Sequence, residues 1–356
     1  MKRITINAST EYDVLVGPDL LKNIGTVLSE AGFAPGRMAL ITDSTVDELY
    51  GEQVCAELKN DGYEVYRCVF PAGEGYKTWT TLGYILDYLA AAEIRRSDFI
   101  LGLGGGVVGD LAGFAASVYL RGVPLVLAPT TLLAAVDSSV GGKNGVNLGT
   151  GKNMAGSFYQ PRLVVCDTTV LSRLNAAQFA EGVAEIIKCG MIADEKLLAR
   201  IVDFRRSRAT GFVPVISACL RIKGDLVARD EFDRGDRHLL NFGHTPAHAI
   251  ERCSGYRISH GQAVAMGMSI MTRAAIAKGL ADSECALALH TALLAHGMAQ
   301  RCPYGAAELA ALARMDKKRQ GDIVRLVIPE IPGRCRVYPI EVGELYSWLA
   351  AGLGEA

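Results

Sequence analysis

No stretch of this chain approaches the roughly 20 consecutive apolar residues that a membrane-spanning helix needs. The first residues, Met1-Lys-Arg-Ile-Thr-Ile-Asn7, are charged and then alternating where a secretory leader would carry an apolar block. Neither secretion nor membrane insertion is expected. The nine cysteines (Cys55, Cys68, Cys166, Cys189, Cys219, Cys253, Cys285, Cys302 and Cys335) stand singly, with no Cys-x-x-Cys pair. Their odd number argues against a complete disulfide framework and suits a reducing cytoplasm. Net charge is missing as well: 37 basic residues against 38 acidic give a formal charge of -1, so nothing global draws the chain to nucleic acid or to an anionic membrane. Any anionic ligand must be held by local cations. Repeats and low-complexity tracts are absent too. What remains is an ordinary globular chain of 356 residues, 50% hydrophobic and with 39 glycines, long enough for two domains.

The first half reads as an α/β domain with a mostly parallel sheet. Arg3-Ile-Thr-Ile-Asn7 and Tyr12-Asp-Val-Leu-Val-Gly17 alternate as strands do, and Arg37-Met-Ala-Leu-Ile-Thr-Asp43 is a buried-strand run ending in an acid. Asp43 either caps the next helix or meets a nucleotide ribose. Another strand, Val65 to Phe70, leads into the loop Pro71-Ala-Gly-Glu74-Gly-Tyr-Lys77, whose Glu and Lys are ligand candidates by position. Then come strand Phe99 to Leu103 and the loop Gly104-Gly105-Gly106-Val107-Val-Gly109-Asp110. This loop matches G-x-G-x-x-G between strand and helix, the setting in which backbone N–H groups hold a pyrophosphate. The loop arrives after about three α/β units, and Asp43 precedes it where the usual fingerprint has an acid following, so a nucleotide-binding sheet of different topology is expected. Thr130 and Thr131 end the next strand, as caps or as hydroxyl donors. From Asp137 to Asn153, Gly141-Gly-Lys143 and Gly151-Lys152-Asn153 form a loop suited to anions rather than packing. Beyond about Asn175 the chain turns to long Ala- and Leu-rich helical segments. The boundary is set near 173, giving an α/β domain over 1–173 and a mainly helical one over 174–356. Met315 to Ile328 reads as a basic hairpin.

The helical half holds the most chemical stretch. His244 and His248 lie four residues apart, on one helix face, and His260 follows just before the next helix. Upstream, Glu181, Glu185 and Lys188 stand at i, i+4 and i+7 on one face of an otherwise apolar helix. Burying these charges without partners would cost several kcal/mol. Imidazoles and a carboxylate suit a catalytic zinc with an open position. Spacing alone nominates His244 with His248, although such a pair is also a common helical coincidence. Pro246 suggests that the helix starts near Thr245, with His244 at its mouth.

Together, Gly104-Gly-Gly-Val-Val-Gly-Asp110, Tyr119-Leu-Arg-Gly-Val123, Pro129-Thr-Thr-Leu-Leu133, Val136-Asp-Ser-Ser-Val-Gly-Gly-Lys143, Gly151-Lys-Asn-Met154, Ala184-Glu-Ile-Ile-Lys188, Leu240-Asn-Phe-Gly-His-Thr245 and Asp316-Lys-Lys318 resemble the 3-dehydroquinate synthase family, within the sugar phosphate cyclases. The match runs from about residue 40 to 325, and its specificity lies in many separated motifs occurring in order. The resemblance implies a homodimeric enzyme, using NAD and a divalent metal (zinc or cobalt), that converts 3-deoxy-D-arabino-heptulosonate 7-phosphate to 3-dehydroquinate and phosphate in the shikimate pathway. It implies transient oxidation by NAD, phosphate elimination, re-reduction and intramolecular aldol closure.

Residue by residue, the resemblance puts the metal on Glu185, His244 and His260 and so displaces His248, which it sets beside the substrate. It puts Asp137 and Lys188 near the reacting carbons, and Lys143, Asn153, Lys223, Arg237, Asn241 and Lys317 on the substrate. Arg121 would reach the neighbouring subunit's site. For NAD it implies Asp43, Glu74, Lys77, Gly105, Gly106, Val107, Asp110, Thr130, Thr131, Lys143, Lys152 and the segment Val170, Leu171, Ser172 and Arg173. Asn144, Phe232 and Gln262 depart from the family pattern, and Gln262, two residues after His260, is expected to alter the charge around that ligand.

Overall fold

A computed structural model describes residues 1–149, 151–205, 209–317 and 322–355, without the side chains of 209, 210 and 314–317. The chain divides into two units: Met1–Leu174 with Arg206–Glu231, and Asn175–Arg205 with Phe232–Ala356.

The first unit is built on a seven-stranded sheet of β1 (Lys2–Ile6), β2 (Tyr12–Gly17), β3 (Arg37–Asp43), β4 (Glu64–Phe70), β5 (Phe99–Gly104), β6 (Leu125–Pro129) and β9 (Leu163–Asp167). Between β6 and β9 the chain makes a separate hairpin, β7 (Lys143–Leu148) and β8 (Gly151–Phe158). The order across the sheet is β1-β2-β9-β6-β5-β3-β4. Only β1 and β2 pair antiparallel; all the other pairs are parallel. β5, β6 and β9 are buried throughout, as strands covered on both faces must be. β3 leads outward to β4, whereas β5 returns to the other side of β3. The sheet direction therefore reverses between β3 and β5, and a doubly wound sheet binds ligands outside the strand ends at such a point. The expectation of an unusual nucleotide topology is met by this order.

Asp167 shows how the ends of these strands are held. Its buried carboxylate accepts from the backbone N–H groups of Asp19 at 3.0 Å, Leu21 at 2.9 Å and Thr169 at 2.8 Å. Leaving such donors unpaired would cost about 1–3 kcal/mol each. One carboxylate thus ties β9 to the loop after β2 and caps the turn Thr168–Leu171.

The second unit is mainly helical and centres on His260–Ala277, which packs against Ala176–Ala193, His244–Cys253 and Leu345–Leu353. It also carries the antiparallel hairpin β10 (Ile323–Ile331) and β11 (Arg334–Glu341). The hairpin turns at Pro332-Gly333; Met315 to Lys317 instead finish the helix Ala306–Lys317. The two-part division expected at 173 also needs correction. Helix Ala209–Arg229 packs on β1 and β2 of the first unit. The approach is close: a Cβ on Gly224 would come within 2.8 Å of the buried Ile6 side chain. Sequence marks that segment as helical but carries no local sign of which sheet it covers. Among the described residues no helix is long and apolar enough to cross a membrane.

Candidate metal and nucleotide sites

In the first unit the nucleotide candidates collect at the carboxyl ends of the parallel strands. β5 ends at Gly104 and the helix Gly106–Val118 begins two residues later, so the first N–H groups of that helix, among them those of Gly106 and Val107, open at the strand end. A Cβ on Gly105 would lie 2.9 Å from the Thr131 methyl, so only glycine lets the loop pass so near. The two threonines divide their work. Thr131 Oγ1 accepts from Ala134 N–H at 3.2 Å and is a cap, whereas Thr130 Oγ1 is buried with no hydrogen-bond partner among the described residues. A buried orphan hydroxyl at this edge fits a polar ligand. Asp43 Oδ1 accepts from Thr45 and Val46 N–H, both at 3.0 Å, so its capping reading holds through that oxygen.

Glu74, Lys77, Asp110 and Asn153 are drawn into one network. Lys77 pairs with Asp110 and donates to Asn153, Asn147 Nδ2 donates to Glu74 Oε1 at 2.8 Å, and Asn147 Oδ1 accepts from Asn153 N–H at 2.9 Å. Burial raises the Asp110 pKa, and the Lys77 ammonium works against that rise. Asn153 thus sits with residues of the nucleotide set, although the resemblance gives it to the substrate. Lys143 and Lys152 lie on the same β7–β8 hairpin. In the segment after β9, Leu171 is fully buried and packs in the core, so its side chain is not open to a ligand. Val170 and Arg173 instead line a small cavity with Lys22 and Tyr50, Arg173 lying over the Tyr50 ring at 5.9 Å. Asp137 pairs through its carboxylate with Lys223, whose Nζ also donates to the Asp137 carbonyl at 2.6 Å. Arg121 follows Leu120 in left-handed backbone, φ 64° and 48°, a costly conformation for two successive non-glycine residues. It is exposed, as are Val118, Leu120 and Phe158 of neighbouring elements.

The second unit assembles the metal candidates. Glu185 and Lys188 are both about 1% exposed on the helix Ala176–Ala193, and they pair with each other. Helix Ala176–Ala193 is set by a capping box at Asn175 and Gln178. His244 opens its helix one residue before the expected Thr245, and Pro246 lies in the first turn, where its missing N–H costs nothing. Gly243 precedes it at φ 79°, where a Cβ would meet Met268 N at 2.7 Å. His244 is thereby brought against the second histidine helix. The result is a convergent set: His260 Nε2 lies 3.3 Å and His244 Nε2 3.8 Å from Glu185 Oε1. Ligand atoms of the three residues all fall within 4.8 Å of one another, a donor set of two imidazoles and a carboxylate that fits a divalent metal. His248 is not in this set; its ring stands edge-on to His244 at 5.7 Å.

Each candidate ligand ring has a partner on its other nitrogen. His244 Nδ1 faces the Phe242 carbonyl at 3.2 Å, and His260 Nδ1 faces the buried Glu251 at 3.7 Å. Burial, joined by the Lys188 charge, pushes the His244 pKa down to about 3. Burial also acts to lower His260, but Glu185 and Glu251 outweigh it and raise the pKa to about 10. Arg237 is buried, and Arg237 and Asn241 lie on the turn Asp236–Asn241, which packs against the helix of Glu185. Gln262 Oε1 accepts from Ala299 N–H at 3.2 Å and so is engaged away from the ligand rings. Asn144 donates to the carbonyls of Gly142 and Tyr159, a structural use of that departure. The Lys317 side chain lies outside the described residues. Glu251 was missed in sequence, although its place seven residues after His244 puts it on the same helix face.

A family model described as 3-dehydroquinate synthase N-terminal matches residues 67–181, and one described as 3-dehydroquinate synthase C-terminal matches 182–319. The chain belongs to the 3-dehydroquinate synthase family. Curated relatives named 3-dehydroquinate synthase include those of Lactiplantibacillus plantarum, 39% identical over 95% of this chain and 95% of that one, and Clostridium acetobutylicum, 37% identical over 95% and 96%. The chain is accordingly an enzyme. Among solved structures, a 2-deoxy-scyllo-inosose synthase complexed with carbaglucose-6-phosphate, NAD+ and Co2+ superposes with TM-score 0.87 at 26% identity, covering 98% of this chain and 99% of that one. The 2-epi-5-epi-valiolone synthase of Streptomyces hygroscopicus, with NAD+ and Zn2+ bound, gives 0.88 at 26%, with 100% of both chains covered. An iron-containing alcohol dehydrogenase shares the fold at TM-score 0.67 and 15% identity, covering 99% of each chain.

From the geometry, His244→Ala and His260→Ala should each abolish tight zinc binding, whereas His248→Ala should retain about one zinc per chain. Metal analysis after dialysis reads this, and loss of zinc from His248→Ala would return His248 to the ligand set.

Proposed function

We propose that this enzyme converts 3-deoxy-D-arabino-heptulosonate 7-phosphate to 3-dehydroquinate and phosphate, the reaction of the shikimate pathway. The observation that carries the reading is the convergent Glu185–His244–His260 set, with its carboxylate buried and Lys188 paired to it. It is joined by 37–39% identity to curated 3-dehydroquinate synthases across nearly the whole chain. Glu185, His244 and His260 would hold zinc or cobalt. Asp43, Glu74, Lys77, Gly105, Gly106, Val107, Asp110, Thr130, Lys152 and the backbone around Val170 to Arg173 would hold NAD. When bound, NAD accepts and returns a hydride while the metal acts as Lewis acid toward the hydroxyl being oxidised.

The chain's own residues supply the rest. A substrate with phosphate at one end and carboxylate at the other needs cations for both, and the resemblance offers candidates in each unit, Lys143 and Lys223 in the first and Arg237 and Lys317 in the second, with Asn153 and Asn241 as neutral partners. Lys223 meets the substrate with its Asp137 pairing already made, so its ammonium is positioned before binding. His248, edge-on to His244, can pass a proton without holding the metal, and the resemblance makes Asp137 and Lys188 further candidates for proton relay. A plain dehydrogenase has no need of this cationic set, and a cyclase acting on glucose 6-phosphate or sedoheptulose 7-phosphate has no carboxylate for Arg237. The cytoplasm is the setting that goes with this chemistry.

With about one NAD+ per active site, many equivalents of phosphate should be released without a steady rise in reduced-cofactor absorbance, because the cofactor is regenerated in each cycle. Chelation should stop turnover, and zinc or cobalt should restore it. Stoichiometric NADH without phosphate would decide for a dehydrogenase, and phosphate release from only the carboxylate-free sugar phosphates would decide for a sister cyclase.

Arg121 is assigned to the neighbouring site of a homodimer, supported by its exposed, conformationally costly turn among apolar Val118, Leu120 and Phe158. Mixing inactive Arg121→Ala and His260→Ala chains should recover up to about a quarter of wild-type activity, since half of randomly mixed twofold dimers are hybrids with one rebuilt site. No recovery on mixing would show that Arg121 serves its own chain.

A further inference from the structure

Glu251 has no part in the ligand set, yet it is a carboxylate only 3% exposed in the same helical unit. It lies on the helix His244–Cys253, and its Oε2 stands 3.7 Å from Nδ1 of His260, whose Nε2 is 3.3 Å from Glu185. The imidazole is thus bracketed by two carboxylates, one on each nitrogen. Seven residues on a helix come back to nearly the same angle, so the helix that presents His244 also presents the partner of His260.

We infer that Glu251 is a positioning residue for the metal centre, whose carboxylate faces His260 Nδ1, favours the proton on that nitrogen and so leaves Nε2, on the Glu185 side, as the atom that would bind a metal. This inference rests on the metal reading of the site above. A ligand imidazole whose far nitrogen faces a carboxylate is fixed in tautomer and ring orientation and becomes a stronger donor. The two ligand rings are served unequally: His244 has a neutral backbone carbonyl behind it, at 3.2 Å from Phe242, whereas His260 has an anion. His260 is also the more exposed ring, 32% against 14% for His244, and so has less packing to hold its orientation. The start of its helix is pinned separately, by Glu181 Oε2 accepting from Gly261 N–H at 2.7 Å. Glu181 therefore sets the backbone of His260 and Glu251 sets its ring.

The test compares wild type, Glu251→Gln, Glu251→Asp and His260→Ala by zinc affinity in chelator competition and by the visible spectrum of the cobalt-loaded protein. Thermal melting monitored by circular dichroism reports folding. Glu251→Gln should bind zinc about 10- to 100-fold more weakly and shift the cobalt bands, as loss of a ligand's carboxylate partner does elsewhere. Glu251→Asp should fall between Gln and wild type, and it carries the comparison if the Gln variant melts early. Zinc affinity within about twofold of wild type, with unchanged cobalt bands, in Glu251→Gln or in Glu251→Asp would overturn the inference while leaving the metal site standing. Failure of the wild type to bind zinc or cobalt, or tight zinc binding by His260→Ala, would instead overturn the metal reading itself.

Discussion

A carboxylate that is almost wholly removed from water must be compensated, and much of the helical unit can be understood from that requirement at Glu185. Its helix is otherwise apolar, and an isolated anion there would be several kcal/mol too costly to keep. The ammonium of Lys188 lies one turn away, and two imidazole nitrogens approach from separate helices. Bringing those helices close enough requires Gly243 in the left-handed region against Met268. The same surroundings act oppositely on the two rings: burial, joined by the Lys188 charge, lowers the His244 pKa, whereas the carboxylates of Glu185 and Glu251 raise that of His260.

The sheet unit follows a different logic. Its charged groups, buried ones such as Lys77 and Asp167 among them, gather at strand ends. The reversal between β3 and β5 sets the glycine-loop helix beside the end of β3, and the pairing of Lys77 with Asp110 ties the loop after β4 to that helix. Each anchor leaves something for a ligand: the opening N–H groups of a helix, and a buried hydroxyl on Thr130. A cofactor held mainly by backbone and fixed polar groups suits chemistry in which the protein's task is orientation.

Strand runs, the glycine loop and the helical second half were legible because periodicity and turn chemistry are local signals. The motif series pointed to the same three residues that the structure brings together as a candidate metal set, and His248 lies edge-on to His244 outside that cluster. What was not legible depends on contacts distant in sequence. Nothing within Ala209–Arg229 announces that it covers β1 and β2, and nothing near Leu171 distinguishes a packed leucine from a lining one. Glu251 was visible as a helical acid, but its meaning needed His260 from the next helix. Gln262 misled in the opposite way, since adjacency to a ligand in sequence suggested adjacency in space, and its side chain bonds instead to Ala299.

The central claim is that oxidation is only a device within a redox-neutral conversion, with the same hydride taken and returned in one binding event. The most direct measurement follows deuterium placed on the carbon whose hydroxyl is oxidised, with unlabelled NAD+ in excess. The account predicts that 3-dehydroquinate retains the label in full at that carbon and that the recovered cofactor carries none. Loss of the label from the product, with deuterium appearing in the cofactor pool, would contradict it.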